Sequence, residues 1–203
     1  TAEKWEGGFS KDVSAVLGTV SFFAPPVSTA EPEATVQPAP TVGGGAMTEI
    51  TQYASGATAS SEHGSEDWSA QRATGTPDVI GCKDDEYAWA SQSSDTVEWI
   101  ELTYDIPVVP TLIRIIQNYG PNQVVKVEVK DLNGAYHTVY TGEVEPDEDC
   151  PYTLEIVIDG ENYSINAIKI TIDQSQVGTW NEIDAVKLVG LGDAGAVPPP
   201  VGP

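Results

Sequence analysis

A chain of 203 residues with 9 Lys and Arg against 31 Asp and Glu has a formal net charge of −22. Such a field repels phosphate backbones and anionic lipid, which disfavours nucleic acid and acidic membrane surfaces as partners. No run of about 18 apolar residues offers a membrane span. The charge is compatible with Ca2+, with neutral glycans, or with a simply solvated acidic surface. The chain opens on Thr1 rather than Met, so a processed product or a fragment is expected. Residues 1–12 lack the basic and apolar regions of a signal peptide.

In chain order, residues 1–46 read as an extended N-terminal arm and linker. The stretch V-S-A-V-L-G-T-V-S-F-F at 13–23 is apolar and β-branched, long enough for one or two strands. A Pro-rich run follows, which favours extended polyproline-like backbone over helix or ladder. Gly43, Gly44 and Gly45 then make a joint before the body.

From 47 to 190 the pattern is β throughout. V-E-W-I-E-L-T-Y-D at 97–105 alternates Ile100, Leu102 and Tyr104 against Trp99, Glu101 and Thr103. P-T-L-I-R-I-I-Q-N-Y follows as a second strand after Pro107 and Pro110. V-V-K-V-E-V-K-D sets Val125, Val127 and Val129 on one face. Asn133-Gly134 is a strong hairpin signal leading into Y-H-T-V-Y. Y-T-L-E-I-V-I-D turns Tyr152, Leu154, Ile156 and Ile158 inward, and I-N-A-I-K-I-T-I-D does the same with Ile168, Ile170 and Ile172. E-I-D-A-V-K-L-V closes the body. At least seven strands of period two, each with one polar face, imply an all-β, antiparallel two-sheet sandwich. S-E-D-W-S-A-Q-R is expected to form one helical turn capped by Ser65. Residues 191–203 form a Pro-rich tail.

The stretch W-S-A-Q-R-A-T-G-T-P-D-V-I-G-C-K-D-D-E-Y-A-W at 68–89, the strand V-E-W-I-E-L after it, and W-N-E-I-D-A-V-K-L-V-G at 180–190 carry a family resemblance. Together they resemble the galactose-binding-like jelly rolls, a group that includes discoidin domains and many carbohydrate-binding modules. The resemblance covers roughly 47–190 and implies a jelly-roll β-sandwich used for binding or assembly rather than catalysis. It also implies a structural Ca2+ between the loop after the first strand and the last strand, with Asp78 and Glu182 as ligands. The chain has A-T-G-T-P-D-V where the commoner version reads A-x-D-G-x-x-x-T-x-W, with Thr74 in place of the Asp before Gly. The alternative is that these acids cap turns and face water. The resemblance further implies sugar contact by loop aromatics helped by polar side chains, which singles out Asn118, Tyr119, Asn122, Trp180 and Asn181. Alternatively, both rings plug the ends of the sandwich. Trp68, Trp89 and Trp99 are expected in or beside the core.

Cys82 and Cys150 lie in acidic, turn-rich segments and cannot complete a zinc site alone. A disulfide is expected, which implies an oxidising compartment; the alternative is two free thiols in a reducing cytoplasm. There is no G-x-S-x-G, H-E-x-x-H, C-x-x-C or phosphate loop, and His137 has no nucleophile tied to it, so the chain reads as non-catalytic.

Two functions follow. The first is a subunit of a cell-surface filament or larger assembly, a homo-oligomer included, in which Val13, Val16, Leu17, Val20, Phe22 and Phe23 of the arm are buried against a neighbour. The second is a glycan-binding, adhesive module of a secreted or surface protein. Both place the chain outside the cell or on its surface.

Overall fold

The computed structural model describes residues 46–145 and 149–196. The arm residues Val13, Val16, Leu17, Val20, Phe22 and Phe23 lie outside the described residues. Eight strands are formed: β1 (Met47–Tyr53), β2 (Gly56–Ala59), β3 (Val97–Tyr119), β4 (Val124–Asp131), β5 (Tyr136–Thr141), β6 (Tyr152–Val157), β7 (Ile165–Asp173) and β8 (Glu182–Asp193). Two 3-10 turns, Ala70–Ala73 and Ala194–Ala196, are the helical elements among the described residues. No helix there is long and apolar enough to cross a membrane.

Every pairing is antiparallel. One sheet runs β1-β8-β3-β6 and the other β2-β3-β7-β4-β5, so the fold is an all-β jelly-roll sandwich. The two sheets share β3. Its first part pairs with β2 and β7, and its second with β8 and β6. This corrects the expectation of separate strands at 97–105 and 110–119: one 23-residue strand spans both. Pro107 and Pro110 mark the corner where it changes sheets, beside a register shift between Thr103 and Val108. Such a corner tolerates missing N–H donors that a regular central ladder would need.

Period-two alternation sets the core. Ile100, Leu102, Ile113, Ile115, Ile168, Ile170, Ile172 and Leu188 are fully buried, each contributing roughly 1.5–3 kcal/mol by area. In β4 an irregularity between Val124 and Lys126 sends Val124, not Val125, inward with Val127 and Val129. The hairpin at Asn133-Gly134 forms as expected, with Gly134 at φ 88. The short helical turn begins after Ser69 rather than Ser65, and Ser69 makes no side-chain cap. β8 runs past Gly190 to Asp193, where it pairs with Met47 at the start of β1.

Candidate functional site

The segment between β2 and β3 lies against the start of β8. Trp89, fully buried, exchanges backbone bonds with Ile183 in both directions, at 2.9 and 3.1 Å, and its indole donates to Ser61 O. Ala90, its neighbour, ties two further points of the segment. It donates to Trp68 O at 3.2 Å and accepts from His63 N at 2.9 Å. Trp68 is held at φ 51, a left-handed conformation that costs a bulky side chain on the order of 1–3 kcal/mol. One buried tryptophan therefore pins a loop that presents another in a strained pose.

The pose builds a cleft of about 150 Å3 lined by His63, Trp68, Asp84, Ala90, Trp180 and Glu182. The His63 ring stands edge-on to both indoles, 5.4 Å from each centroid, at 79° to Trp68 and 81° to Trp180. Each indole is oriented by its N–H. Trp68 Nε1 donates to Asp84 Oδ1 at 3.2 Å and Trp180 Nε1 to Ser91 O at 2.9 Å. The rings thus offer apolar faces with polar groups beside them, the usual chemistry of a small-ligand site.

Beneath the Trp180 loop lies a layer of buried amides. Asn181 Nδ2 donates to Gln117 Oε1 and to Gly120 O, and Gln123 Nε2 also reaches Gly120 O. Gln174 accepts from Asn181 N and donates to Ser91 Oγ at 2.6 Å. These contacts join the segment after β3, the segment before β8 and the β2–β3 segment.

Of the residues singled out for sugar contact, Trp180 lines the cleft and Tyr119, half-buried, stands opposite Glu182 in the ladder. Asn118 and Asn181 are a correction: both are buried, with their side-chain N–H groups bonded within the protein, those of Asn118 to Lys83 O and Glu182 Oε2. Asn122 adopts φ 67 and donates to Glu145 O, so it shapes a turn. Trp89 is core, as expected. Trp99 lies on an outer sheet face, with the Lys169 ammonium 4.3 Å from its ring centre, and Trp68 belongs to the cleft. The sequence does not single out His63 for ligand contact, since a lone histidine in a polar segment shows no ligand spacing.

The acids fall into two pairs. Asp184 is buried on β8 and accepts from Asp78 N at 3.2 Å; Glu182 is buried on β8 and accepts from Asp85 N at 3.1 Å, with Asp84 beside it. Burial pushes the Glu182 carboxyl up to about 8, and the neighbouring Asp84 adds to the rise against the opposing bonds from Asp85 and Asn118. Burial likewise lifts Asp184 to about 6, with the N–H groups of Asp78 and Val79 opposing and Asp78 itself raising it. Asp78 therefore meets Asp184, and Glu182 meets Asp84. A Ca2+ shell needs six to eight oxygens. Among the described residues no three His, Cys, Asp or Glu side chains are gathered to hold a metal. The side chains present do not fit that shell.

Cys82 and Cys150 form a disulfide with Cα atoms 5.1 Å apart, as expected. It ties the cleft-bearing segment to the residue before Pro151 and β6.

No curated protein matches the chain. Among solved structures, it is similar to chitosan-binding module 1 of a chitosanase/glucanase from Paenibacillus sp. IK-5. That likeness has 16% identity and a TM-score of 0.51, and covers 66% of this chain and 94% of that one. A truncated AlyQ with CBM32 and alginate lyase domains matches at 12% identity and a TM-score of 0.51, over 72% of this chain and 34% of that one. At this level the likeness establishes the galactose-binding-like fold. A family description matches residues 45–196, which is most of the chain: over that span the protein belongs to the family described as Pappalysin-1, SD scarf domain, C-terminal.

Proposed function

We propose that the body is a non-catalytic carbohydrate-binding module of a secreted or surface protein, and that sugar binds in the cleft between Trp68, His63 and Trp180. The observation that carries this reading is the pair of half-buried indoles, each fixed by its own N–H bond, around one small cleft. An indole face suits the C–H face of a pyranose, and rings already held in place lose little entropy on binding. The chitosan-binding module that shares the fold supplies a precedent for sugar recognition on this scaffold. The disulfide supports an oxidising, extracellular setting.

The assembly reading, placed first on sequence grounds, draws no support from the two structures above, a chitosan-binding module and a protein with CBM32 and alginate lyase domains. Its contact residues lie outside those described.

A glycan array probed with the whole chain tests the proposal. Binding is expected, with loss of at least tenfold in Trp180→Ala and in Trp68→Ala while the far-ultraviolet circular dichroism stays that of the parent. No hits, or hits that survive both substitutions, would overturn it.

A further inference from the structure

We propose that the cleft selects a sugar bearing a free, protonated amine over the same sugar N-acetylated or neutral. This rests on the glycan reading of the same cleft and adds the ligand's charge to it.

The lining chemistry is one-sided. Two indoles, an imidazole edge and the Ala90 methyl form the walls, and Asp84 and Glu182 are the acids that line it; no Lys or Arg does. The two carboxyl groups adjoin one another. Glu182 keeps its proton up to about 8, so near neutral pH the pair carries its negative charge on Asp84, and the oxygens of both acids can accept from a cation placed beside them. The basic residue next in sequence, Lys83, does not serve: its ammonium pairs with Asp85 instead. Asp84 is exposed and uses Oδ1 as acceptor for the Trp68 indole, which holds the acid at the rim against the ring.

An ammonium suits such a place in two ways. It carries three N–H donors and no acceptor, so it can bond carboxyl oxygens on two residues at once. It is also drawn to the face of an indole, the best of the aromatic partners for a cation. A hydroxyl or acetamide in the same position offers fewer donors and no charge. The net charge of −22 further raises the local concentration of cationic ligands.

The test is titration calorimetry of the whole chain at physiological salt with EDTA present. The probes are a glucosamine oligosaccharide, the N-acetylglucosamine oligosaccharide of equal length, and a neutral glucose oligosaccharide. The amine-bearing oligomer is expected to bind at least tenfold more tightly than the other two. Asp84→Asn, at an exposed position where the fold survives, should bring the three within about threefold. Trp180→Ala should abolish binding of the amine-bearing oligomer. Equal or tighter binding of the acetylated or neutral oligomer overturns the inference and leaves the glycan reading standing. Binding of the amine-bearing oligomer that survives Trp180→Ala means attraction to the bulk charge, and overturns the inference too. If no oligomer binds and a glycan array is blank, both readings fall.

Discussion

Asn181 donates its side-chain amide to Gln117 Oε1 at 2.8 Å, with both residues fully buried. The bond spans from the end of β3 to the residue beside Trp180, so it fixes the ring's loop to the sheet. Asn181→Ala removes that donor and the one to Gly120 O, and is expected to destabilise the fold by about 1–3 kcal/mol. Urea unfolding followed by tryptophan fluorescence measures it. A change within about 0.5 kcal/mol would show that the amide layer is replaceable.

Gly120 sits at φ 45, and a Cβ built there would lie 2.1 Å from Trp180 O and 3.2 Å from Thr179 Cγ2. Both the backbone region and the space require glycine. Gly120→Ala is expected to cost about 1–3 kcal/mol and to weaken ligand binding more than it changes the core, because Trp180 must move aside. Melting temperature and glycan affinity, measured on one preparation, check it. Unchanged affinity would sever the link between this glycine and the cleft.

Stability should fall as the pH rises. Glu182 and Asp184 both titrate higher in the folded chain than in the unfolded one, so the folded form keeps protons the unfolded form has released. The loss runs from 3.8 to about 6 for Asp184 and from 4.5 to about 8 for Glu182. Between about pH 6 and 8 the slope belongs mainly to Glu182, and Glu182→Gln should flatten it. Melting curves at pH 6, 7 and 8 decide this; a slope that persists in the variant assigns the effect elsewhere.

Calcium is expected to leave the melting temperature unchanged to within about 1 °C, since the carboxylates form two separate pairs rather than one shell. Parallel melts in millimolar Ca2+ and in EDTA provide the check. A rise of several degrees in Ca2+ would mean that backbone carbonyls complete a site around one pair.

The disulfide closes a loop with a sequence separation of 68 residues. Chain-entropy reasoning gives it roughly 4 kcal/mol, and replacing both cysteines by serine should lower stability by about that amount. Guanidinium unfolding of parent and double variant gives the number. A loss below about 1 kcal/mol would show that the unfolded chain is already compact around this loop.

The strands were legible because burial on one face writes itself as alternation: Ile168, Ile170 and Ile172 announce their own face. β1 was not, since Ile50 is the one deeply buried residue in M-T-E-I-T-Q-Y. The unity of β3 was hidden because Pro107 and Pro110 read as breaks, and only the presence of two sheets makes them a corner. Within the site, Trp180 stood out as a ring in a polar loop. Trp68 and His63 did not, because their placement depends on Trp89 docking at Ile183, a contact across most of the body. Asn118 and Asn181 misled for the opposite reason. Asn181 sits in a loop and looks available, yet the loop folds over it, while Asn118 is buried at the end of β3.

β1 and β8 also decide how the body behaves under tension. Met47 pairs with Asp193, and Ala194 N donates to Ala46 O at 3.1 Å, so the backbone enters and leaves the body at one point. The cleft residue Glu182 opens β8 and lies at its far end, roughly 35–40 Å away along a 12-residue strand. A load applied through the two flanking segments would open the β1–β8 ladder one bond at a time, as a zipper opens, instead of shearing the whole ladder together. The edge strand would peel first. The ladder ends at Tyr53 and Lys187, so a ligand held beside Glu182 would feel the pull only after that seam had opened.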